Sequence, residues 1–175
     1  MTAMVALLRG VNVGGRSSLP MADLRAAAEA CGFEHPRTYI QSGNLVFESS
    51  LKPGPAAKKL AGELASTTAV QPEVVVRTRT EMRAVVEKSP YLARGEAEVH
   101  LHVVFLADGA KPALPDLTKY APEEATVVGR EVHFFLPNGV GRSKLAADLG
   151  RRKDAVGTMR NWRTVLKLID MLDAD

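Results

Sequence analysis

The sequence of 175 residues predicts an α+β protein made of two halves, each carrying an antiparallel sheet. Three observations predict it. Over residues 1–90, short apolar runs and amphipathic helical stretches follow one another as strand, helix, strand, strand, helix, strand. Two pairs of β-rich runs, at 37–48 and 125–136, are joined by glycine-bearing turns and read as hairpins. Beyond Ser89-Pro90 and Gly95 the order starts again as strand, short helix, hairpin, helix. The first order is the split βαβ, or ferredoxin-like, arrangement. The chain therefore reads as a ferredoxin-like βαββαβ half over 1–90 and a truncated ferredoxin-like βαββα half over 91–175, ending in a long helix. A single compact α+β domain with one shared core is the alternative.

Each element has its own local reason. Met4–Arg9 is an apolar strand stopped by Gly10, and the loop Gly10–Ser18 follows it. Pro20 opens a helix over Met21–Cys31, in which Leu24, Ala27, Ala28 and Cys31 share a face and Gly32 marks the end. Arg37–Gln41 and Leu45–Glu48 form a hairpin around Ser42-Gly43-Asn44. Ser49–Pro55, with its two prolines and a glycine, is a loop before the helix Ala56–Ser66. Glu73–Arg77 is a strand with three consecutive valines, and Thr80 caps a connecting helix over Thr80–Lys88. Val99–Ala107 carries the clearest strand signal, with Val99, Leu101, Val103 and Phe105 alternating onto one apolar face. A helical turn at Pro115–Tyr120 and a hairpin of Ala125–Val128 and Glu131–Leu136 come next. The helices Ser143–Leu149 and Met159–Leu172 complete the chain.

Composition excludes several classes. At 46% hydrophobic and 25% charged, the chain is globular rather than disordered. A net charge of +3 is a mild basic lean, short of a dedicated nucleic-acid binder. The single cysteine, Cys31, excludes an internal disulfide and a cysteine zinc cage, and fits a reducing cytoplasm. Apolar runs such as Val103–Ala107 are too short to span a bilayer, and the N-terminus lacks a basic segment with an apolar one behind it. A cytoplasmic protein without membrane partner or cofactor is expected; its oligomeric state is not legible.

Candidate chemistry gathers at two places. The loop Arg9-Gly-Val-Asn-Val-Gly-Gly15 follows a strand and precedes a helix, as phosphate-binding loops do. Its spacing is neither a dinucleotide fingerprint nor a P-loop, and tight-turn geometry alone would also call for its glycines. In a split βαβ unit the first two strands are parallel, so this loop and the hairpin turn emerge at one end of the sheet. Arg9, Asn12, Gly14, Gly15, Gln41, Ser42 and Asn44 would then form a cluster without a carboxylate. The second place is the start of the two C-terminal helices. Ser143 and Thr158 read as N-caps, with Arg142, Lys144, Arg160 and Asn161 around them and no acid in either first turn. A bound anion would compensate the basic charge near the helix dipole; carboxylates from elsewhere in the fold would do the same.

Other residues carry less. His100 and His102 would share one face of a strand, solvated or half covered, without an evident third metal ligand, so no metal site is expected. Cys31 lies on a helical apolar stripe and reads as a packing thiol; Trp162 shares helical spacing with Val165, Leu166 and Ile169 and reads as core. The pairs Glu123-Glu124 and Glu96/Glu98 read as solvated charges.

Several segments resemble a known family. Ala6–Gly15, Thr38–Phe47, His102–Leu106, Gly141–Leu145 and Thr158–Leu168 resemble, in order, motifs of the bacterial domain-of-unknown-function family numbered 1697. The resemblance implies an α+β fold of two ferredoxin-like halves and no established activity. The residues themselves lead to a binding module for an anionic, phosphorylated small ligand or nucleotide. The alternatives are an enzyme acting on a phosphorylated substrate, for which no acid, base or nucleophile stands out, and a nucleic-acid binder. The last is poorly supplied with stacking groups, since Phe47 is alone on Leu45–Glu48.

Overall fold

The computed structural model describes residues 1–154 and 157–174. It contains two four-stranded antiparallel sheets with helices, an α+β fold. Residues group into two units, Met1–Arg83 with Lys167–Asp175, and Ala84–Leu166. The sequence reading divides the chain at 90 instead and leaves the last helix whole in the second half.

The first unit runs β1 (Thr2–Leu8), α1 (Met21–Ala30), β2 (Glu34–Tyr39), β3 (Asn44–Ser49), α2 (Pro53–Thr67), β4 (Val74–Thr78) and the start of α3 (Arg79–Glu87). Its sheet order is β2-β3-β1-β4, so β1 is central. Alternation along β1 sends Met4, Ala6 and Leu8 to the same core as Leu45 and Phe47 of β3 and Val76 of β4. Leu24, Ala27 and Ala28 of α1 and Ala56, Leu60 and Leu64 of α2 cover that core. Phe33 stacks on Phe47 with ring centroids 4.3 Å apart. Val5 and Leu7, on the other face of β1, are equally buried. A strand buried on both faces needs a continuous apolar run, and Met4–Leu8 is one.

Local chemistry ends the elements. Gly32 at φ +73 donates to Glu29 O and Phe33 N to Ala28 O, terminating α1. Thr78, not Thr80, opens α3: Glu81 N donates to Thr78 Oγ1 at 3.2 Å and Thr78 N to Glu81 Oε2 at 2.7 Å, a reciprocal capping box.

The second unit runs α4 (Pro90–Ala93), β5 (Leu101–Leu106), β6 (Glu124–Val128), β7 (Glu131–Phe135), α5 (Lys144–Gly150), β8 (Gly157–Asn161) and the start of α6 (Trp162–Asp173). Its order, β6-β7-β5-β8, makes β5 central. Val104 and Leu106 of β5 lie with Val132, Phe134, Leu145 and Leu149 in one cluster. Val99 is not part of the strand; it sits exposed in a short 3-10 turn, Glu98–His100.

The truncated βαββα expectation is corrected here. Residues 157–161 are a strand beside β5, with Val104 opposite Met159 and Leu106 opposite Gly157, so this half also has its fourth strand. A Cβ at Gly157 would lie 2.6 Å from Phe105 O, so only glycine lets the two backbones approach. The helix begins after it, where Thr164 N donates to Asn161 Oδ1 at 2.8 Å. At the other end of α6, Arg37 Nη2 donates to Met171 O at 2.9 Å and Arg83 Nη2 lies 2.7 Å from Asp173 Oδ1. Cations there suit the negative end of the helix.

An aspartate in either central strand places an unpaired charge in a core, costing several kcal/mol against a typical total of about 5–15. Leu7→Asp and Phe105→Asp should each abolish the cooperative urea transition followed by circular dichroism.

Candidate functional site

The loop after β1 folds on itself. Asn12 N donates to Ser17 O at 3.0 Å and Arg16 N to Val13 O at 3.1 Å. Gly14 and Gly15, at φ +60 and +72, form the two-residue corner of this small ribbon. Two successive positive φ angles define the turn that glycine pairs favour. These glycines are therefore turn residues. Nor does the loop lead straight into α1, whose N-cap, Pro20, makes no side-chain capping bond.

Asn12 fastens the loop. Its Nδ2 donates to Leu19 O at 2.8 Å and to Gln41 O at 2.7 Å, while its Oδ1 accepts from Leu19 N at 2.7 Å. The loop thus lies beside the hairpin turn, as parallel β1 and β2 require. Asn44, fully buried, holds the turn by donating to Tyr39 O and Ser42 Oγ. Leu8 N donates to Gly43 O at 2.9 Å, and a Cβ at Gly43 would come within 2.7 Å of Val11 and 2.8 Å of Leu8. The structure brings Arg9, Asn12, Gln41, Ser42 and Asn44 to one end of the sheet, and gives Asn12 and Asn44 the work of holding backbone.

Beside the loop is an open cleft of about 350 Å³ including its mouth, between Arg9–Val11 with Ser17 on one side and Val70–Glu73 on the other. Arg9 N donates to Glu73 O at 3.0 Å, joining its walls. Above that bond Arg9 Nη1 lies 3.9 Å from Glu73 Oε2, an ion pair beyond hydrogen-bond reach. Glu73 Oε1 is buried without a hydrogen-bond partner. The cluster expected to lack a carboxylate has one. Glu73 belongs to the stretch read as a strand, and nothing local announces that Arg9 would meet it across 64 positions of chain.

The second proposed place changes more. Ser143 does cap α5, accepting from Ala146 N at 2.9 Å, with Arg142 and Lys144 exposed beside it. The acid missing from the first turn is Glu123, whose Oε2 accepts from Ser143 Oγ at 3.0 Å and Leu145 N at 3.1 Å. Glu123 is buried, not solvated, because the fold delivers it to a helix N-terminus that stabilises negative charge. Thr158 and Arg160 lie in β8, so neither opens a helix; Asn161 holds that position. Arg160 is buried and its Nη1 donates to Thr158 Oγ1 at 2.6 Å and Met159 O at 2.8 Å. Burial lowers its pKa to about 10. At the start of α5 the basic charge is met by Glu123, and at the start of α6 the cap is Asn161.

The histidines are also placed differently. His102 is buried opposite Phe134, and His100 stands in the 3-10 turn, so the two do not form a pair on one strand. His133, opposite Val103, is buried as well, and burial pushes its pKa down to about 4. Burial lowers that of His102 too. No cluster of metal-ligating side chains occurs among the described residues. Cys31, the residue that caps the end of α1, is buried in the same core, where desolvation raises its pKa, and Trp162 is buried.

Residues 1–133 match the family described as protein of unknown function (DUF1697). The chain belongs to this family. The match ends before Gly141–Leu145 and Thr158–Leu168, so those two resemblances lie outside it. A solved structure, that of the conserved bacterial protein SP0830 from Streptococcus pneumoniae, is similar to this DUF1697 chain over 98% of each, with 23% identity and a TM-score of 0.77. That likeness shows the fold. No curated protein matches the sequence.

Two outcomes follow from this geometry for the DUF1697 chain. Gly43→Ala forces a left-handed conformation and two close contacts, and should lower stability by about 2–4 kcal/mol in urea unfolding. Asn12→Ala leaves three backbone groups unpaired and should cost about 1–3 kcal/mol.

The buried histidines set a pH dependence. A His133 held near 4 when folded takes up a proton near 6.5 once unfolded. Its stabilisation is complete above 6.5 and is lost as pH falls toward 4, by about 3 kcal/mol. His102 adds in the same direction. The unfolding free energy should fall between pH 7.5 and 4.5, and less steeply in His133→Leu.

Proposed function

We propose that the first unit is a binding module for a small anionic ligand, taken into the cleft with Arg9 as the group that meets its charge. One observation carries this reading. The Arg9 side chain is 40% exposed at an open cleft, and the carboxylate beside it stays 3.9 Å away. A guanidinium that its neighbour holds by charge without a hydrogen bond still offers planar donors to a carboxylate or phosphate. Ser17 and Gln71 line the same cleft and supply neutral hydrogen-bonding groups. Both sheets read as ferredoxin-like by strand order, and in the first of them three connections meet at the cleft's end. The single buried cysteine suits a cytoplasmic setting.

Thermal unfolding tests the reading. A ligand at about ten times its Kd adds about 1.4 kcal/mol. For a chain of this size that raises Tm by roughly 3–6 °C. Inorganic phosphate or butanoate should do this beyond chloride at matched ionic strength. Arg9→Gln should lose the response, whereas Arg142→Ala and Lys144→Ala should keep it. Equal effects of chloride and phosphate, or an unchanged Arg9→Gln, would remove the reading.

A further inference from the structure

The cleft is not purely cationic. Glu73 Oε1 is buried there without a hydrogen-bond partner, while Oε2 faces Arg9 at 3.9 Å. The carboxylate is held in place by its own main chain, since Glu73 O accepts from Arg9 N and β4 begins at the next residue. The preceding residue, Pro72, has no N–H to offer. Ser17 and Gln71 line the cleft, yet neither supplies a donor to Oε1. An acceptor-only oxygen in such a position calls for a donor, and a charged donor serves it best.

Charge balance points the same way. Arg9 and Glu73 leave the cleft neutral. A simple anion would satisfy Arg9 and set its own negative charge against Glu73; a cation would do the converse. A ligand carrying both charges a few bonds apart meets both side chains, and the misplaced group of an analogue is penalised by the partner left unpaired.

We propose that the ligand is a zwitterion, a small ammonium-bearing carboxylate or phosphate, whose anionic group meets Arg9 and whose N–H groups donate to the Glu73 carboxylate. The proposal rests on the anion reading of the same cleft. It adds that Glu73 selects against anions of equal size without an amine.

Titration calorimetry on the full chain with two isosteric pairs tests it: β-alanine against butanoate, and 2-aminoethyl phosphate against n-propyl phosphate. In at least one pair the amine should bind about tenfold tighter or more to wild type, equivalent to about 1.4 kcal/mol. The pair that binds shows whether the anionic group is a carboxylate or a phosphate. Glu73→Gln should bring both members of that pair to within about twofold, while Arg9→Gln should weaken both. Phosphocholine, which keeps the positive charge and has no N–H, should bind to wild type no better than n-propyl phosphate if the phosphate pair is the one bound. That comparison needs no variant, should Glu73→Gln fail to fold. If amine and isostere bind wild type equally and Arg9→Gln still weakens both, the zwitterion proposal falls and the anion reading stands. If no member of either pair binds, both fall.

Discussion

Everything in each unit is built outward from one strand with no free side. β1 has hydrogen-bonded neighbours at both edges and buried residues on both faces, and β5 occupies the same place in the second sheet. Such a strand cannot slip by one residue without inverting two buried faces at once. It therefore fixes where its end emerges, and with it the loop that Asn12 fastens and the turn that Gly43 seats against Leu8 and Val11. The cleft's position is a consequence of that register, because Arg9 is the residue immediately after β1 and its amide is tied to Glu73.

The central strands, the hairpins, α1, α2 and the Ser143 cap were legible because each has a local cause: an apolar run, a glycine turn, a capping hydroxyl. β8 was not. Gly157–Asn161 has no alternation strong enough to announce a strand, and it passes into α6 without an intervening turn. The helical spacing of Trp162 and the residues after it could be extended backward over it without contradiction. Gly157 and Asn161 were the available signals, one permitting close approach to β5 and the other a better cap than Thr158.

The site was legible as a place more than as a set of roles. That the loop and hairpin turn share an end follows from topology, and the structure has them hydrogen-bonded. What Asn12, Gly14, Gly15 and Asn44 do there is mainly to shape backbone. The two carboxylates that matter most to the electrostatics, Glu73 and Glu123, reach Arg9 and Ser143 from distant positions in the chain. Charge counts within a single helical turn cannot register an acid supplied by another element.

The direct passage of β8 into α6 restricts how this chain can vary in length. Asn161 ends the strand and caps the helix, so no slack separates them. One residue added between Asn161 and Trp162 would turn the rest of the helix by about 100° and advance it by about 1.5 Å. The buried stripe of Trp162, Val165, Leu168 and Leu172 would swing away with it. Length changes among descendants of this sequence should be confined to other connections, leaving the spacing from Gly157 to Leu172 invariant.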